Sequence, residues 1–447
     1  MPVFASHSNI FADMFSSSEM RSLFADEAML QLYLDVEVAL AQVQGELGII
    51  PSEASAAIGT HASVEKIDMN RLAERTLIVG YPILPLIEQL SEWVPDGLGQ
   101  WCHYGATTQD IMDTADVLQL RRALDLVEAD LDALIAATGQ LARDHAETPM
   151  AGRTHLQQAL PITFGYKAAT WLAMMRRHKE RLSELRPRLE VVSFAGAVGT
   201  LASLGSDKGL ATQEALAEKL NLGLPDITWH STRDNFCEAT GLLSLVSSSI
   251  GKIGLDIALM IQTEVGEVFE PFMPGRGGSS TMPQKRNPIG SELMIASGKL
   301  VREQHSAMLD AMVQDHERAT GQWHVEWQAL SSAFVFASGG LKAAIEVLEG
   351  LEVKPDTMRQ NLGVTNGLIM AEAVMMGLAP KLGRQVAHDE VYACCRRVNT
   401  EGVEFLAALC ENEAISKVAE PDEIAALLDP ANYVGAAPEM VRRLLEA

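Results

Sequence analysis

Residues 236 to 264, FCEATGLLSLVSSSIGKIGLDIALMIQTE, constrain the fold more than any other stretch. They carry few charges and set apolar side chains on nearly every side of a helix, so this segment needs neighbours all round it. It reads as the central rod of a bundle. A second long helix follows from Val117, Leu120, Leu124, Val127, Leu131, Leu134 and Leu141, which alternate three- and four-residue steps with Thr138 at the one break. Helical patterns also fill 162 to 185, 288 to 313 and 328 to 349, and a helix is expected over 26 to 47, where an acidic first turn leads to Gly48 as a C-terminal stop. Strand alternation is weak, although 189 to 204, LEVVSFAGAVGTLASL, could form a short hairpin or a Gly-rich bend. The expected fold is all-α, with an N-terminal helical domain over 1–104, a central long-helix bundle over 105–348 and a C-terminal helical domain over 349–447.

Composition narrows the partners. Lys plus Arg is 35 against 59 for Asp plus Glu, a net charge of −24 that repels nucleic acid and anionic membranes. A small anionic substrate therefore needs a local cationic pocket, which draws attention to Arg276, Lys285 and Arg286. The 5 cysteines are odd in number and follow no metal-ligand or disulfide spacing. The first residues lack a basic segment followed by a long apolar run, and no uninterrupted apolar stretch reaches the roughly 18 residues of a membrane span. A cytoplasmic protein that engages neither nucleic acid nor membrane is expected.

The stretch GGSSTMPQKRNPIG, 277 to 290, combines flexible glycines, two hydroxyls and a cationic end before a helix near Pro288. Backbone amides of a Gly-Ser turn can cradle an anion, with Lys285 adding charge and Asn287 directed hydrogen bonds. The spacing is not that of a nucleotide phosphate loop. Composition alone leaves a carboxylate site and a mobile cationic surface loop about equally favoured.

The same loop resembles the signature of the fumarase/aspartase superfamily. LDVEVALAQVQGELGIIP, HYGATTQDIMDTA, GRTHLQQALPITFG and NPIGSE resemble the branch that contains adenylosuccinate lyase and 3-carboxy-cis,cis-muconate cycloisomerase. The resemblance implies a three-domain lyase fold whose long helices form the core of a homotetramer, with sites assembled from several subunits. It implies Ser279 as general base on a closing loop, with Ser280, Lys285 and Asn287 holding the substrate. His155 would assist the leaving group, paired with Glu292 thirteen residues after the serine. A carboxylate beside the imidazole would orient it as a proton donor.

In HYGATTQD, residues His103, Thr107, Thr108 and Gln109 are expected in a turn before the heptad helix, where small hydroxyls can receive a carboxylate or Asp110 can cap the helix. The resemblance favours substrate binding for Thr107, Thr108 and Gln109. Arg153 and His155 precede a proline that is expected to start the next helix. Arg233 of WHSTRD and Arg318 of HERATGQWHVEW are candidate carboxylate ligands, with salt-bridged helix ends as the alternative.

The implied chemistry is β-elimination from a small polycarboxylate, or its reverse, with neither metal nor organic cofactor. ERTLIVGYPILPLI and QWHVEW look like the cycloisomerase group, and the phosphate-binding pair usual in adenylosuccinate lyases is missing. Retention of both His155 and Glu292 instead suits a nitrogen leaving group. The leading expectation is a carbon–nitrogen lyase releasing fumarate from an N-substituted aspartate such as iminodisuccinate. The alternative is 3-carboxy-cis,cis-muconate cycloisomerase; adenylosuccinate lyase and a non-catalytic structural relative follow.

Overall fold

The computed structural model describes residues 8–446, so residues 1–7 of the N-terminal stretch read above lie outside the described residues. Six helices exceed twenty residues among the described residues: α1 (Asp26–Glu46), α2 (Thr108–Asp144), α3 (Phe164–Leu189), α4 (Asp234–Ile261), α5 (Ile289–Ala311) and α6 (Gln322–Glu349). Helices were expected at all six places, α1 from its end signals and the others from their apolar patterns, and the fold is all-α apart from two small two-stranded sheets. The expected divisions near 104 and 349 fall just before α2 and at the end of α6.

Packing divides the chain into two compact units, and α2 to α6 each contribute a part to both. The first unit holds the residues up to Leu131, His178–Gly251 and Leu293–Lys342. Its core gathers Leu30, Val36 and Leu40 of α1, Ile111 and Leu118 of α2, then Phe194 and Trp323. α1 lies so close to the next helix, Ser52–His61, that a Cβ on Gly45 would sit 2.6 Å from Ser55 Cβ. Gly48 follows at a φ of +65°, a left-handed conformation that ends the helix without a Cβ penalty.

The second unit holds Asp132–Arg177, Lys252–Glu292 and the chain from Ala343 onward. Here the structure corrects two expectations. The hairpin is not at 189–204 but pairs β1 (Pro149–Thr154) with β2 (Gln157–Thr163). Segment 189–204 carries only an isolated bridge, Val191 to Gly223, because its small residues offer no alternating face to pack. Pro161 does not start a helix either; it lies in β2 opposite Ala151, on a ribbon whose edges tolerate a missing N–H, and α3 begins at Phe164. A C-terminal cluster around Val374, Leu378, Val391, Phe405 and Leu409 closes this unit.

By length and composition α4 and α6 could each cross a membrane, a feature that the search for uninterrupted apolar runs passed over. α6 has 67% of its most apolar stretch buried, as a core helix does; for α4 the share is 44%, which leaves apolar surface uncovered in one chain.

Candidate active site

The Gly-Ser loop forms a closed neck. The backbone N–H and the side-chain Nδ2 of Asn287 both donate to the Gly277 carbonyl, each at 2.9 Å. Gly277 has a φ of +66°, and a Cβ there would stand 2.4 Å from Asn287 O, so only glycine fits. Asn287, expected to hold substrate, is here the clasp of the loop. At the far end Ser279 Oγ accepts from the N–H groups of Thr281 and Met282 at 3.3 and 3.1 Å, donors that favour a developing alkoxide. Ser280 and Lys285 are exposed. Arg276 pairs with Glu346, and Arg286 bonds the Glu270 carbonyl and Glu352, so Lys285 is the loop cation without an ion pair.

Glu270, which the sequence reading missed, anchors the other side of the loop. Its buried carboxylate accepts from Gly290 N at 3.1 Å, Ser291 N at 2.7 Å and Ser291 Oγ at 2.8 Å, and so caps the N-terminus of α5. A Glu nineteen residues ahead of a helix start gives no local capping signal, which is why it went unseen. The cap fixes Glu292 in the first turn of α5, its side chain exposed and without a hydrogen bond.

In the same unit, Arg153 on β1 grips the fully buried Glu267 through two hydrogen bonds of 2.8 and 2.7 Å, and Asn361 Nδ2 donates to that carboxylate at 2.9 Å. This ties down the hairpin two residues from its tip. The tip is His155–Leu156, at φ of +50° and +64°, the backbone of a two-residue turn that normally takes Asn-Gly. Holding Leu in that region stores strain, and the turn presents His155 in solvent with no partner. His155 and Glu292 are not hydrogen-bonded to each other within the chain.

In the first unit, Thr107 and Asp110 form a reciprocal cap on α2: Asp110 N–H donates to Thr107 O, and Thr107 N–H donates to Asp110 Oδ2 at 2.9 Å. Asp110 also receives the N–H groups of Ala195 and Gly196 and the Nε2 of His230. Thr107 and Thr108 thus stand at the positive end of a 37-residue helix, a natural place for a carboxylate. Gln109 does not lie in a turn as expected. It is buried in α2, donating to His230 O and Asp113 and accepting from Arg318 Nε at 3.1 Å. Arg318 also donates to Ala197 O, at 3.1 Å.

Arg233 departs from its expected role as a substrate ligand. It is 1% exposed, and its guanidinium is taken up by Asp113 and Glu326, so a structural triad replaces a free carboxylate fork. His103, at a φ of +58°, meets the buried Glu37 with Nδ1 to Oε1 at 2.6 Å. Burial pulls its pKa down, but Glu37 outweighs that and leaves it raised. The two segments that carried the cycloisomerase likeness also meet. Tyr81 lies against Trp323, His324 and Trp327 at ring-centroid separations of 5.7, 6.0 and 6.3 Å.

Ser279, Ser280, Lys285, Asn287, Arg153, His155 and Glu292 thus belong to the second unit, and Thr107, Thr108, Gln109, Arg233 and Arg318 to the first. Among the described residues no group of three or more His, Cys, Asp or Glu side chains could hold a metal ion.

Comparison with known proteins adds the following. The family described as "Lyase" matches residues 16–302, and "Adenylosuccinate lyase C-terminus" matches residues 367–444. A 3-carboxy-cis,cis-muconate cycloisomerase of Pseudomonas aeruginosa is 46% identical, over 98% of this chain and 95% of its own length. Trans-aconitate decarboxylase 1 of Mycosarcoma maydis is 45% identical, over 100% of this chain and 90% of its own. The crystal structure of a fumarate lyase from Mesorhizobium sp. BNC1 superposes with a TM-score of 0.92 at 48% identity, covering 97% of this chain and 98% of that one.

Proposed function

The chain belongs to the fumarase/aspartase superfamily of lyases, and we propose that it is a 3-carboxy-cis,cis-muconate cycloisomerase. Superfamily enzymes act on small polycarboxylates. Three relatives with different named activities lie within 45 to 48% identity, so identity alone does not choose among them. The observation that carries the choice is the aromatic contact of Tyr81 with Trp323, His324 and Trp327, which makes one wall out of the two cycloisomerase-like segments. This reverses the order of the two readings drawn from the sequence, where iminodisuccinate cleavage led.

In the lactone-forming direction a substrate carboxylate oxygen adds to the carbon–carbon double bond. The displaced electron pair moves onto the neighbouring carboxylate as an aci-carboxylate, and Ser279 delivers the proton that the α-carbon gains. In reverse Ser279 removes that proton and the ring oxygen leaves as a carboxylate. In the second unit Lys285 supplies charge for a substrate carboxylate; in the first, Thr107 and Thr108 at the α2 N-terminus and Arg318 offer donors of the same kind. Arg153, Asn287 and Gln109 hold hairpin, loop and helix in place rather than touching substrate. Incubation with 3-carboxy-cis,cis-muconate, followed by loss of its diene absorbance, tests the assignment; an unchanged spectrum contradicts it.

A second reading, release of fumarate from an N-substituted succinate, is favoured by one observation. His155 and Glu292 are both exposed and unpaired in the single chain, ready to serve a leaving group that needs a proton. The uncovered apolar face of α4 supports a homotetramer, which would bring side chains of different copies together. Cytoplasmic residence fits the five free thiols.

A further inference from the structure

The first unit holds a partly open cavity of about 350 Å³ that shares no residue with the Gly-Ser loop or the hairpin tip, although Glu326 and Trp327, described above, help line it. Its walls are apolar and aromatic, with Phe24, Met112, Trp327 and Leu330 among them. Three polar groups in this lining have no partner. The Tyr33 side chain is 1% exposed and its hydroxyl makes no hydrogen bond; the Trp327 indole N–H is buried and unsatisfied; and the half-buried Asp116 carboxyl, which lines the cavity, has neither hydrogen bond nor ion pair. Buried groups of this kind are normally satisfied, so three around one void call for an occupant.

The charge balance says which kind. Asp113, Asp116 and Glu326 lie around a single cation, Arg233. Its guanidinium is already divided between Asp113 and Glu326, and Glu326 also accepts from Gln314. Asp116 is the carboxyl left over. An alkali metal ion would find too few oxygens here to replace its water, whereas an organic ammonium brings an apolar body for the aromatic walls and N–H donors for Asp116 and Tyr33.

We propose that this cavity binds a small primary ammonium compound with a compact apolar body, its cation on Asp116 and Tyr33 and its body against Phe24, Trp327 and Leu330. The site is independent of the reading of Ser279 and the loop.

Calorimetric titration of the full-length protein with benzylammonium, benzyl alcohol and potassium chloride tests it. Benzylammonium should bind saturably, once per chain, with benzyl alcohol at least about tenfold weaker and potassium unable to compete, because the charge pair dominates inside an apolar box. Asp116→Asn should weaken benzylammonium about tenfold or more. Tyr33→Phe, which keeps the ring packing, should weaken it several-fold and covers the case in which Asp116→Asn fails to fold. Leu330→Trp should fill the void and abolish binding, while Ser279→Ala should leave it unchanged. Desolvation, then Asp113 and Glu326 against Arg233, hold the Asp116 carboxyl at about 8. Affinity should therefore fall about tenfold per unit as pH drops below 8. Equal binding of benzyl alcohol, an unaffected Tyr33→Phe variant, a flat pH profile or absence of saturable binding overturns the proposal.

Discussion

Arg233 and Asp113 meet edge to edge, Nη1 to Oδ2 at 2.7 Å and Nη2 to Oδ1 at 2.9 Å, in the interior of the first unit. The pair and Glu326 leave Asp116 as a carboxyl with no cation of its own, and burial pushes it up to about 8. An ordinary Asp titrates near 3.8 in the unfolded chain, so between these values the folded protein holds a proton that the unfolded chain has lost. Unfolding releases that proton, and stability must fall as pH rises from about 4 to about 8. Buried Glu326, whose pKa is also raised, adds in the same direction. Asp116→Asn should remove much of this slope and stabilise the protein at pH 8 by about 1–3 kcal/mol, read as urea midpoints across pH. A wild-type slope retained by the variant contradicts the assignment.

Ser279→Ala should reduce turnover by roughly 10³-fold or more while substrate still binds, because the hydroxyl acts on the proton rather than on ground-state affinity. Turnover near normal removes Ser279 from the mechanism.

His155→Gln and Glu292→Gln separate the two readings of the leaving group. A ring carboxylate leaves without protonation, so on the muconate each change should cost less than about tenfold. A nitrogen leaving group must gain a proton, and loss of its donor should cost roughly 10²–10⁴-fold. A large loss on the muconate contradicts the proposed role.

Light scattering should show a tetramer, since Leu245 and Leu255 of α4 stand 52% and 51% exposed in one chain. A monomer at micromolar concentration refutes this.

The long helices were legible because their apolar spacing persists over many turns, as in the seam from Val117 to Leu141. The loop was legible as a motif, from Ser279 to Asn287. What the sequence concealed was set by partners distant along the chain. Arg153 finds Glu267, Arg233 finds Asp113 and Glu326, and Glu270 caps α5, all from separations that no periodicity reports. The hairpin at 149–163 was missed because its turn residues, His155 and Leu156, lack the usual Asn-Gly chemistry and because Pro161 pointed to a helix start. Asn287 carried the right chemistry for a ligand, yet its geometry makes it a clasp.

The most direct test sets 3-carboxy-cis,cis-muconate against a panel of N-succinyl compounds, including iminodisuccinate, under identical conditions, with kcat/KM measured for each. The account predicts that the muconate is consumed with lactone formation and without fumarate, at a kcat/KM at least about 10²-fold above any N-succinyl compound. Fumarate release from an N-succinyl compound, with the muconate left intact, would contradict it.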